Sequence, residues 1–155
     1  MQDLKLTTKE RNELCARLIG WFQEDGQDET YFEYSLDENN KPFSKIVAYS
    51  LYRDNWKELP FHKDLNYTYK LLEKVNSFKR SVDEEKIKIG ESLIDRFEIH
   101  TKSFFANIFI WTKNGWKDFS VYYVVGENCE DWKQGFYLFL SDILIKSLKH
   151  NNGKS

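Results

Sequence analysis

Three histidines and two cysteines are all that this 155-residue chain offers for imidazole or thiol chemistry. His62, His100 and His150 have no histidine three or four residues away, the spacing that sets two imidazoles on one helix face for a metal. His62 stands in Phe61-His62-Lys63-Asp64 and reads as a solvated loop residue. His100 follows Ile99 and is a candidate general base, while His150 lies in the C-terminal tail. Asp95, Glu98 and Lys102 resemble the carboxylates and lysine of metal-dependent nucleases, where the acids hold a divalent ion and the lysine assists the attacking water. That chemistry places acid and lysine two residues apart on a strand, and here His100 occupies the position after Glu98. Glu84-Glu85-Lys86 has the spacing, but in a stretch that reads as a loop or helix start. Cys15 and Cys129 belong to no C-x-x-C pair and read as small, reduced, apolar side chains.

Phosphate-binding loops are missing as well. The seven glycines form neither G-x-G-x-x-G nor G-x-x-x-x-G-K-[ST], and there is no G-x-S-x-G elbow for a nucleophilic serine. The expectation is therefore no cofactor, no metal and no catalytic residue. An enzyme or small-molecule binder using carboxylates and His100 in a cleft between sheet and helices stays as the alternative.

Two other features stand out. The first 42 residues carry 10 acidic and 5 basic side chains although the whole chain has a formal charge of only −2. Glu24, Asp25, Asp28, Glu29, Glu33, Asp37 and Glu38 follow one another without an intervening Lys or Arg. Such a run is either a solvated edge or a docking surface that steers a basic partner. The second feature is aromatic content of 17%, crowded into Phe104, Phe105, Phe109, Trp111, Trp116, Phe119, Tyr122 and Tyr123. Consecutive strand residues face opposite sides, so both faces of this hairpin are partly aromatic. Helices on both faces would bury all of it, or cross-strand aromatic pairs simply stabilise the sheet; helices on one face would leave Trp111, Trp116 and Tyr122 as an exposed partner surface.

The elements that must position these residues read as follows. Thr7 and Glu10 form a capping box for a helix over Thr8–Gln23, with Leu14, Cys15, Leu18, Ile19, Trp21 and Phe22 as its apolar stripe. Thr30 to Leu36 alternates as a strand, and Ser44 to Tyr52 returns beside it after a polar loop. A second helix begins near Asp64 and buries Leu65, Thr68, Leu71, Leu72, Val75 and Phe78. Residues 81–102 are open between an irregular connection and a helix or strand through Leu93, Ile94, Phe97 and Ile99. Phe104–Trp111 and Trp116–Val125 flank Lys113-Asn114-Gly115, and Asn-Gly between β-rich runs is a strong hairpin signal. Asn128 is expected to cap a last helix running to Lys149.

This order predicts one α+β domain over residues 1–150 with a frayed tail at 151–155. An antiparallel sheet of about four or five strands, built from the two hairpins, would be packed by N-terminal, middle and C-terminal helices. Hydrophobic residues at 41% against 31% charged argue for a folded chain. No run approaches the roughly 20 apolar residues of a membrane helix and no signal peptide is visible, so the expected address is cytoplasmic, without membrane contact. Near-neutral charge argues against direct nucleic-acid binding.

In size, mild acidity and α+β order, and in the Ile108–Val125 hairpin IFIWTKNGWKDFSVYYVV, the chain resembles the small immunity proteins of bacterial toxin systems. The resemblance implies a protein that binds a cognate toxin and occludes its active site without catalysis. An acidic surface would suit a nuclease toxin, whose substrate site is basic. A subunit of a larger phage or bacterial assembly is the third reading.

Overall fold

The computed structural model describes residues 5–21, 30–36, 38–39, 41–49, 59–78 and 89–151. Helix α1 spans Thr8–Leu18 and opens on the expected box: Thr7 Oγ1 accepts from Glu10 N at 3.1 Å, and Glu10 Oε1 accepts from Thr7 N at 3.2 Å. It stops five residues short of the expected Gln23. Gly20 takes φ 93°, its N–H bonds Arg17 O, and Trp21 N–H reaches back to Ala16 O at 2.8 Å. This pair of bonds is a Schellman cap, and Trp21 is the apolar residue that packs beyond it rather than a further turn of helix.

Strands β1 (Thr30–Leu36) and β2 (Pro42–Tyr49) pair antiparallel from Thr30↔Tyr49 to Leu36↔Pro42. A 3-10 turn at Pro60–His62 leads into α2 (Leu65–Asn76), capped by Asp64 Oδ1 on Asn66 N at 2.9 Å. Thr68, Leu71 and Val75 are buried as expected, while Leu65 is exposed. Of the open stretch 81–102, residues 81–88 lie outside the described residues and Ser92–Ile99 forms β3, which makes a meander with β4 (Ser103–Thr112) and β5 (Gly115–Val124).

The expected single sheet of four or five strands is thus corrected. Among the described residues the antiparallel sheet has three strands, β3-β4-β5, and β1-β2 forms a separate two-stranded ladder. The hairpin turn also differs by one residue. Its ladder closes on Thr112 and Gly115, leaving Lys113 and Asn114 as the loop, with Gly115 at φ 100° supplying the positive angle. Thr112 Oγ1 fastens the turn by donating to Gly115 O and accepting from Asn114 N.

Helix α3 (Trp132–Asn151) begins at Asp131, whose Oδ1 accepts from Gln134 N at 2.8 Å. Asn128, expected in that role, instead holds the end of β5: its Oδ1 accepts from Val124 N and its Nδ2 donates to Tyr122 O. Phe136, Tyr137, Phe139, Leu140, Ile143, Leu144 and Ile145 are all buried, so α3 is apolar around most of its circumference. It packs on β4 and β5 with one side and on α1, α2 and the 3-10 turn with the other. The molecule is layered as sheet, central helix and outer helices. The expectation that the helices share the sheet is replaced by one helix on the sheet and two on the helix.

Gly135 marks the tightest point between α3 and the sheet side. A Cβ there would stand 2.8 Å from both Cys129 Sγ and Phe104 Cε2. Phe104 is fixed among Trp132, Phe136 and Phe139, so it has little room to yield. Gly135→Ala is expected to destabilise by about 1–3 kcal/mol through overpacking, despite Ala's better helix propensity. Urea unfolding checks this; a more stable variant would mean that the neighbours move aside freely.

Candidate interaction surface

Strand alternation sorts β4 into two faces. Phe104, Ala106, Ile108, Ile110 and Thr112 are buried beneath α3, while Phe105, Asn107, Phe109 and Trp111 point outward and are half-buried. The register brings Tyr122 opposite Phe105, Ser120 opposite Asn107, Asp118 opposite Phe109 and Trp116 opposite Trp111. On the other side β3 bulges between Ile94 and Arg96, which sets Arg96 against Asn107 and Glu98 against Phe105. The outer face is therefore a row of rings with a charged margin along β3.

The contacts are specific. Trp111 and Trp116 lie with centroids 4.9 Å apart and tilted by 56°, and Phe109 meets Trp116 edge-on at 6.3 Å and 87°. Phe105 meets Tyr122 edge-on at 6.1 Å, and the Arg96 guanidinium sits 4.6 Å above the Phe105 ring. Arg96 donates through Nε and Nη2 to Glu98 Oε2 at 2.9 and 2.5 Å, and His100 Nε2 stands 3.1 Å from Glu98 Oε1. The bonds from His100 and Arg96 hold the Glu98 carboxyl below its ordinary range. Tyr122 is 51% exposed. The described helices lie on the opposite side of the sheet, where α3 packs on β4 and β5.

Of the residues singled out in the sequence, Trp111, Trp116 and Tyr122 share this face, with the two Trp at one end and Tyr122 towards the other. Glu24, Asp25, Asp28, Glu29 and Asp37 lie outside the described residues. Glu33 pairs with Lys45 in the β1-β2 ladder, and Glu38 is exposed beyond β1. Arg96, Phe105, Phe109 and Asp118 join the face without having been singled out as site residues. For the two Phe the signal was present, since they alternate in step with Trp111.

A second polar cluster is internal, and sequence reading missed it. Arg11, buried in α1, donates to Ser141 Oγ at 2.7 Å and to Asp142 Oδ1 at 2.5 Å, and Tyr123 donates to Asp142 Oδ2. Burial works against the Arg11 charge, but Asp142 outweighs it and raises the Arg11 pKa. Next to it, Asn12 accepts from Tyr137 Oη at 2.7 Å and donates through Nδ2 to Leu59 O at 2.7 Å. The same Nδ2 lies 2.8 Å from His62 Nδ1, so that ring nitrogen accepts. His62 is thus half-buried and bonded, not the solvated loop residue expected. Burial pushes the Cys15 thiol up to about 12, which keeps it protonated and unreactive in the native state.

An open depression of about 280 Å³ lies between the end of α1 and α2, lined by Ile19, Trp21, Lys70, Glu73, Lys74 and Ser77. His100, directly after β3, is not among the residues that line it. Among the described residues no group of three His, Cys, Asp or Glu is placed to hold a metal, and no described helix is long and apolar enough to cross a membrane. No family model, curated protein or solved structure matches the chain.

Proposed function

We propose that the protein is a binding module of the immunity type, a cytoplasmic non-catalytic inhibitor that docks on a basic toxin and covers its active site. The observation that carries this is the outer face of β3-β4-β5, where Phe105, Phe109, Trp111, Trp116 and Tyr122 line the side of the sheet opposite α3. A sheet with a helix on one side and rings on the other has an apolar surface whose burial against a partner is favourable, and aromatic anchors of this kind dominate interface energies. The acidic run from Glu24 to Glu38 supplies the complementary charge, which raises the encounter rate with a basic protein and selects against acidic ones.

The test begins with capture from native host lysate at low and high salt, then titration of the purified partner. Wild type is expected to bind one basic protein stoichiometrically, to inhibit its activity and to weaken with salt. Trp111→Ala with Tyr122→Ala is expected to lower affinity at least about 30-fold, the loss of one strong hot spot. The triple change of Glu29, Glu33 and Asp37 to Lys is expected to slow association. A partner that keeps full affinity for the aromatic variant, or is bound without loss of its activity, overturns the proposal.

A further inference from the structure

We infer that the Trp end of the outer sheet face is a cation site, and that its occupant is a lysine or arginine side chain of the basic partner. This deepens the proposed function and rests on it for the source of the cation. The site is made of Phe109, Trp111, Trp116 and Asp118.

The register supplies the parts. Trp111 and Trp116 are direct cross-strand partners at the closed end of the hairpin, and Asp118 is the direct partner of Phe109 two pairs further along, the next pair on the same face. Trp116 and Asp118 are two residues apart on β5 and so project from the same face. Trp116 is tilted 56° to Trp111 and stands 87° to Phe109, so the three rings do not form one flat stack and present π faces in different directions. The face of an aromatic ring is its negative side, and it attracts a cation placed over it.

The carboxylate decides the sign. Asp118 is exposed and, among the described residues, makes no hydrogen bond or ion pair. At the other end of the sheet the charges satisfy one another: Glu98 is held by Arg96 and His100, and Phe105 already carries the Arg96 guanidinium. The Phe105 end thus displays, within one chain, the arrangement that the Trp end lacks. It has a guanidinium over a ring with a carboxylate beside it, whereas among the described residues Phe109, Trp116 and Asp118 have the ring and the carboxylate alone. Lys117 lies between Trp116 and Asp118 in sequence but alternates to the opposite face, where it pairs with Ile110. An incoming ammonium or guanidinium completes the set; an acidic or neutral side chain does not.

The experiment uses the whole protein and small probes, so it does not depend on having the partner. N-acetyl-lysine amide, N-acetyl-arginine amide and the uncharged N-acetyl-norleucine amide are titrated in turn, with the indole N–H signals of Trp111 and Trp116 followed by NMR. The two cationic amides are expected to shift both signals saturably, and norleucine amide to bind at least fivefold more weakly. Asp118→Asn is expected to weaken the cations at least threefold and leave norleucine unchanged. Equal binding of all three amides, no response to any, or indifference to Asp118→Asn overturns the cation site. Cation binding without any basic protein partner leaves the site standing and removes the immunity reading. A basic partner bound equally well by Asp118→Asn does the reverse.

Discussion

Replacing Arg11 by Met is expected to destabilise the protein by about 3–5 kcal/mol, read as the shift in urea unfolding at constant m-value. Met keeps most of the volume and helix propensity, so the loss isolates the charge. The reason for its size is what stays behind: Asp142 is buried, and without the guanidinium its carboxylate retains only the Tyr123 hydroxyl. An uncompensated buried anion is far costlier than a missing pair. The double variant Arg11→Met with Asp142→Leu should therefore recover much of the deficit, since an apolar pair of similar volume is often neutral against the ion pair it replaces. Cys15 provides an independent readout, because its buried, protonated thiol reacts with an alkylating reagent only when α1 opens. A deficit for Arg11→Met below about 1 kcal/mol would mean that water reaches Asp142 and would remove the argument.

Asn12→Leu is the second large effect, about 3 kcal/mol or more. The two side chains have similar volume, so packing changes little while three polar groups lose a partner: Leu59 O, His62 Nδ1 and Tyr137 Oη. A buried group left without its bond costs roughly 1–3 kcal/mol, and water can reach only some of these. The geometry also makes a spectroscopic statement. Because the Asn12 amide nitrogen must donate to Leu59 O, the ring of His62 carries its proton on Nε2 when neutral, which 15N chemical shifts of the imidazole report directly. A His62 protonated on Nδ1, or a variant within 1 kcal/mol of wild type, contradicts this assignment.

Neither effect was legible in the sequence, and the reason is distance. Arg11 and Asn12 lie outside the apolar stripe expected for the first helix, and a helical pattern reports only neighbours within a turn or two. Their partners Asp142 and Tyr137 are 131 and 125 positions away. Local rules did better. The Thr7–Glu10 box and the start of the second helix near Asp64 follow from a few adjacent residues, and of the stripe expected on that helix Thr68, Leu71 and Val75 are buried, Leu72 and Phe78 half-buried and Leu65 exposed.

Where two local signals competed, the sequence misled. The apolar spacing of Leu18, Trp21 and Phe22 extends the expected helix past its end, whereas Gly20 at positive φ stops α1 at Leu18. The β3 segment looked ambiguous because its bulge after Ile94 inserts a residue, so that Ile94 and Phe97 face the same side at helical rather than strand spacing. Which strand edges meet is not encoded in any one strand, and the two hairpins accordingly read as one sheet although they form two. Trp111, Trp116 and Tyr122 were legible as a shared face since strict alternation through the β4–β5 hairpin leaves no freedom in which side they take.

The bond between Arg11 and Asp142 also has a kinetic meaning. The β3-β4-β5 meander closes short loops and can form early, whereas joining α1 to α3 means bringing together points 131 residues apart. The seam is therefore expected to close late in assembly and to act as a latch on the finished molecule. Weakening it should leave the refolding rate almost untouched and appear on the unfolding limb of the chevron, so that the two ends of the chain govern how long the native state lasts while its middle governs how fast it is reached.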